Sequence, residues 1–288
     1  MQRVLSTYLF VGQKLTPGIL AEIERAGIPA VELFCARTHF DYRSVEVVRE
    51  LKEWFAEHTL KVHALHSPTS RDQSERREST APISIAEPER VRRLEAVDEI
   101  KRVLELAEQI PFRFLVQHLG GREPMDERRR DAAFNSLEHL AVFAKHRGVT
   151  VALENTPGEL ATPANLRHFI ADTRLHDLRL CFDTGHAHME EGVERSYESM
   201  RELVVTVHVH DNHGEKDEHL LPFDGTIDWD AALKGFGHAP AAENRLPLVL
   251  ELKDAAVGGV HEHNLSAVLD QVKSACDKLE QALTAKAN

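Results

Sequence analysis

Short apolar runs alternate with longer amphipathic or polar stretches eight times along the chain. The runs cover 4–10, 30–35, 60–66, 112–118, 149–154, 178–183, 203–210 and 247–252. Their length and their β-branched and large apolar residues predict strands. The stretches between them predict helices. One starts at Pro17 and stops at Gly27. Others cover 44–58, the residues after Pro88, 126–147 up to Gly148, the residues after Thr162-Pro163, and 193–202. A short helix begins at Asp228, and a last one follows about residue 262. Pro at the first helical position and Ser or Thr before it are ordinary helix starts. Alternating strands and helices imply a parallel sheet with right-handed crossovers. Eight units in 288 residues imply an α/β fold of the closed (β/α)8 barrel type, one domain over 1–288 with no linker. A doubly wound open sheet would more often begin with a Gly-rich turn, and none is present.

Side chains alternate between the two faces of a strand, so each run can be split. Val149, Val151 and Leu153 oppose Thr150, Ala152 and Glu154. Leu178, Leu180 and Phe182 oppose Arg179, Cys181 and Asp183. Val205, Val207 and Val209 oppose Thr206, His208 and His210, and Leu248, Leu250 and Leu252 oppose Val249, Glu251 and Lys253. The apolar face must meet the helices, so Glu154, Asp183, His208, His210 and Glu251 point into the barrel. His66 and His118 also end runs, but share parity with apolar residues, so a bulge or turn must aim them. Buried carboxylates are costly without a cation. A metal ion is the favoured compensation, and Lys253 or Arg179 is the structural alternative. Carboxylates with imidazoles suit Mn, Mg, Co or Zn.

Composition narrows the chemistry. The formal charge of −12 and the 6% aromatic content argue against nucleic acid as a partner. No run approaches a membrane span, the N-terminus lacks a signal-peptide pattern, and Cys35, Cys181 and Cys276 form no disulfide framework. A cytoplasmic setting without membrane association is the expectation. Segment 67–88 is polar and Ser-rich, and reads as an active-site lid or a plain surface loop.

Several residues carry structural expectations. Trp54, Phe55 and Trp229 read as packing residues. His58, His139, His146, His168 and His176 read as solvated, and His261 and His263 as surface or cap residues. His63 is expected to face away from His66. Glu32 reads as a pocket wall or half of a structural pair. His39 and Phe40 lie in a loop on the catalytic side, within reach of substrate.

The motifs ENTPG (154–158), FDTGHAH (182–188), HVHDN (208–212), DEHLLPFDG (217–225) and LELK (250–253) together resemble the xylose-isomerase-like TIM barrels. That superfamily of sugar isomerases and epimerases also contains the endonuclease IV enzymes. The resemblance implies a divalent-metal site on Glu154, Asp183, His208 and Glu251; the sequence HVHD favours His208 over His210 as the ligand. The endonuclease branch implies further ligands at His66, His118, His186, Asp217 and His219. His210 and Lys253 join these as further metal or substrate contacts. The glycine usual after the loop proline is Phe223 here. The resemblance implies a metal-dependent isomerase or epimerase of a small carbohydrate, with Glu154 and Glu251 as the acid–base pair. A multinuclear zinc phosphodiesterase acting on abasic DNA or another phosphoester is the alternative, and a metal-free binding barrel a third reading. A homo-oligomer is an ordinary state for such barrels.

Overall fold

A computed structural model describes residues 2–70, 82–121, 124, 126–236 and 246–286. Its strands are β1 (Gln2–Ser6), β2 (Ala30–Phe34), β3 (Lys61–His66), β4 (Phe114–His118), β5 (Thr150–Glu154), β6 (Arg179–Asp183), β7 (Val204–Val209) and β8 (Pro247–Leu250). Each pairs in parallel with its sequence neighbours, and β8 pairs with β1 to close the barrel. The helices are α1 (Pro17–Arg25), α2 (Val45–Glu57), α3 (Arg90–Glu105), α4 (Glu127–Lys145), α5 (Pro163–Thr173), α6 (Thr184–Met189), α7 (Val193–Met200), α8 (Trp229–Phe236) and α9 (Leu265–Lys286). Among the described residues no helix is long and apolar enough to cross a membrane.

Local chemistry sets the element ends. Thr16, Ser44, Asp126 and Thr162 each accept a backbone N–H of the following first turn. Pro88 lies one place further out than expected, because the Glu89 carboxylate caps α3. The first strand is shorter than its apolar run. Residues 7–10 form a 3-10 turn, since Ser6 Oγ accepts the Tyr8 N–H and Thr7 Oγ1 accepts the Phe34 N–H at 2.9 Å. α6 was not foreseen: the Asp183 carboxylate caps it through the His186 N–H at 2.6 Å.

The main core lies between barrel and helices, and takes Val151, Leu153, Leu180, Phe182, Val207, Val209, Leu248 and Leu250 as the parity argument requires. The barrel interior is also apolar at mid-depth, filled by Ala64, Phe114, Val116, Ala152 and Cys181. Three expectations change as a result. His118 needs no bulge, because Phe114 and Val116 on its own face are interior residues. β3 does carry an irregularity: Val31 pairs with Val62 but Glu32 with Ala64. The extra residue, His63, faces inward and lies 3.1 Å from Thr206 Oγ1. Likewise Leu180 pairs with Val204 but Cys181 with Thr206, which turns Val205 onto the interior cluster rather than outward. In each bulge one inserted residue lets two neighbours share a face.

Cys35, Cys181 and Cys276 are buried free thiols. Half of the 67–88 loop, residues 71–81, lies outside the described residues. Its flanks are anchored: Ile85 and Ala86 are buried, and Ser136 on α4 donates to the Ile85 carbonyl at 2.8 Å.

Candidate metal centre

Active sites of such barrels form where the strands end, at the C-terminal face. Glu154, Asp183, His208 and Glu251 meet there from β5, β6, β7 and the residue after β8. One ligand atom of each lies within 4.8 Å of all the others. His208 Nδ1 is 3.5 Å from Glu154 Oε1 and 3.3 Å from Glu251 Oε2. All four are buried, Glu251 at 4% exposure and the rest at none.

Two further groups adjoin this one. His66 Nε2 and His118 Nε2 lie 3.3 and 3.2 Å from Glu154 Oε2. On the other side His186, His210, Asp217 and His219 bring four ligand atoms within 4.8 Å of one another. His210 Nε2 is 3.0 Å from Asp183 Oδ2, and His219 Nε2 is 3.0 Å from Asp217 Oδ2. Lys253 hydrogen-bonds the Asp217 carbonyl and holds its ammonium 3.7 Å from the carboxylate. Arg179 does not reach the site. It sits at the opposite end of β6, donating to the His176 and Leu178 carbonyls.

Charge in the bare site is shared between carboxylates and imidazoles. Burial alone would raise the pKa of Glu154, yet His208 and His118 hold it well below the usual carboxylate range. Glu251 is held low against burial by His208, and Asp217 against burial by His186 and His219. Burial opposes protonation of His66, but Glu154 raises its pKa to about 9. His186 and His208 are also raised, against burial, by neighbouring carboxylates, Asp183 foremost for His186.

The donor set fits a divalent ion. Both Glu154 oxygens, His208 Nδ1, His210 Nδ1 and Asp217 Oδ1 are buried without a hydrogen-bond partner among the described residues. Nearby imidazole nitrogens lie within reach of Glu154 but are not aligned as donors. Buried acceptors left without a partner, as the Glu154 oxygens and His208 Nδ1 are within one ligand group, are expected where an ion completes them.

The loop after β7 is built to present Asp217 and His219. Asp211 accepts the N–H groups of Asn212, Phe223 and Ile227 and the Trp229 indole N–H, the last at 2.7 Å. Trp229 thus anchors α8 as expected. Phe223 takes the left-handed conformation, φ +76°, that glycine normally serves. His39 and Phe40 are both buried, and the His39 ring is fixed between the Gln13 carbonyl and Thr7 Oγ1. His58 is paired with Glu24 at 2.6 Å rather than solvated.

The profile of the xylose isomerase-like TIM barrels matches residues 20–272. The chain belongs to this xylose isomerase-like family. The chain is 27% identical over 282 residues to an uncharacterized protein of Methanocaldococcus jannaschii, covering 94% of this chain and 85% of the relative. Its fold is similar to that of a D-tagatose 3-epimerase-like protein, with 20% identity, TM-score 0.78 and full coverage of both chains. It is also similar to an L-ribulose 3-epimerase, at 18% identity and TM-score 0.77, covering 99% of this chain and 95% of that one. An IOLI protein solved with a zinc atom gives 16% identity and TM-score 0.76, covering 97% and 98%. These structural likenesses concern the fold of the xylose isomerase-like barrel.

One residue of this xylose isomerase-like chain that the sequence offers as a pocket wall or half of a structural pair is part of the site, as the partner of His208. Glu32 at β2 is fully buried, 3.1 Å from His208 Nε2. Its signal was present, since a carboxylate in AVELF on an interior face needs a partner. No pattern in the sequence named that partner, which lies 176 residues away.

Proposed function

We propose that this protein is a divalent-metal-dependent isomerase or epimerase of a small keto sugar or polyol. The observation that carries the reading is the placement of two glutamates, Glu154 and Glu251, 3.5 and 3.3 Å from the same nitrogen of His208, each kept ionised in the bare site. Glu154, Asp183, His208 and Glu251 would hold the ion, which when bound supplies Lewis acidity to polarise a substrate carbonyl. A substrate carbon between the glutamates meets a carboxylate on each face. One glutamate removes the carbon-bound proton, and the other returns a proton to the opposite face. His186 orients a substrate hydroxyl, and its Nδ1 is already engaged by the Asn155 carbonyl at 3.0 Å. The epimerase folds similar to this one agree with that assignment.

Glu154→Gln or Glu251→Gln, assayed at saturating metal, is expected to lower turnover about 10²–10⁴-fold. Turnover within threefold of wild type for both variants would refute the acid–base pair.

A second reading rests on the adjoining ligand groups around His66 and around Asp217. Several ions held there would suit phosphoester hydrolysis. Metal analysis of the protein purified without chelator separates the two. One ion per chain is the expectation here; two or three zinc ions with cleavage of abasic-site DNA would favour the phosphodiesterase.

A further inference from the structure

The imidazoles of the site are held in two different ways. His66, His186 and His219 each engage a backbone carbonyl through Nδ1, at 2.9, 3.0 and 2.8 Å. That leaves Nε2 of each ring facing a carboxylate. His208 is reversed. Its Nδ1 faces Glu154, Asp183 and Glu251, and its Nε2 meets a side-chain carboxylate, Glu32 Oε2, at 3.1 Å. The other Glu32 oxygen accepts Ser6 Oγ at 3.2 Å. All three residues are fully buried. The chain of contacts therefore runs from β1 through β2 and across the barrel to β7.

We propose that Glu32, held by Ser6, is the positioning residue that makes His208 a metal ligand. Resting on the metal-centre reading above, the role is specific. A carboxylate behind Nε2 keeps the proton on that nitrogen, so the Nδ1 lone pair is free to point at the ion. It also fixes the ring plane and raises the basicity of the ligand atom. A backbone carbonyl would fix the tautomer, but would add no charge. Among the described residues of the three ligand groups, His208 is the imidazole whose rear nitrogen meets a carboxylate outside those groups. It is also the imidazole shared by Glu154 and Glu251. The ligand at the centre of the site is thus the one given the strongest support.

The test measures Mn2+ affinity by chelator competition in wild type, Glu32→Gln, Glu32→Ala, Ser6→Ala and Asp183→Asn, alongside thermal melting of the metal-free proteins. The expected order is wild type, then Ser6→Ala, then Glu32→Gln, then Glu32→Ala. The alanine variant should lose about 10–100-fold, the range found for such outer partners. Glutamine retains partial binding because its amide oxygen can still accept the Nε2 proton. A merely structural Glu32 would lower melting without setting this order of affinities. Glu32→Gln and Glu32→Ala binding Mn2+ within twofold of wild type, while Asp183→Asn loses it, would overturn the proposal and leave the metal centre standing. Absence of Mn2+ and Zn2+ binding by wild type would overturn the metal centre and this role with it. If Glu32→Ala does not fold, Glu32→Gln and Ser6→Ala decide by the same order.

Discussion

At the scale of single residues, this chain uses histidine in two opposed ways. Histidines at the barrel mouth sit among carboxylates, which raise the pKa of His66, His186, His208 and His219. His39, which packs away from them, is kept neutral. Burial lowers the pKa of His39 to about 4. Such a group binds fewer protons folded than unfolded, so stability rises with pH between about 4 and the unfolded value of 6.5. Its contribution is complete above 6.5 and is lost as pH falls toward 4, by up to about 3 kcal/mol. His39→Asn keeps a donor for Gln13 and an acceptor for Thr7 but does not titrate. Its stability, followed by urea unfolding of the metal-free protein from pH 7 to 4, should fall less steeply than that of wild type. Parallel curves would show that His39 is not buried neutral.

At the scale of elements, close approach at the site leaves no room for side chains at two glycines. A Cβ on Gly185, in the first turn of α6, would lie 2.0 Å from His210 Cε1. The His210 ring is fully buried and held against Asp183, so it cannot swing aside. A Cβ on Gly225 would lie 2.3 Å from Asp211 Oδ1, in the midst of the donors that fold the loop. Gly185→Ala is expected to cost about 1–3 kcal/mol through overpacking. Gly12→Ala, with nothing within 4 Å of the added atom, serves as the neutral control. Equal denaturation midpoints for the two variants would contradict the packing described.

Much of this was legible in the sequence at element scale. Eight apolar runs gave the eight strands, and parity aimed Glu154, Asp183, His208 and Glu251 correctly. Parity failed where the pleat is broken. The bulges at His63 and at Val205 each turn an extra side chain inward, and neither carries a glycine or proline to announce it. It also misled at His118, because an interior packed with Phe114 and Val116 looks from sequence like an outer face. The short helix α6 was missed because its cap is Asp183, a residue already assigned to a strand and a metal. Glu32 was visible as a buried charge but not as the partner of His208, since contact between β2 and β7 is a property of the closed barrel.

At the scale of the whole molecule, the barrel brings residues distant in sequence to one point and fills the space beneath them with apolar side chains. The net charge of −12 is partly concentrated in that point, where carboxylates outnumber the cations that lysine and arginine supply. Paired imidazoles balance the bare site, and a divalent ion would displace their protons. The proposed function turns on proton transfer at carbon between Glu154 and Glu251. The direct measurement is turnover of a panel of keto sugars by the Mn2+-loaded protein in D2O, with deuterium in the product located by NMR. An epimerised or isomerised product with solvent deuterium at the reacting carbon is the predicted result. Product formed without solvent deuterium would contradict it.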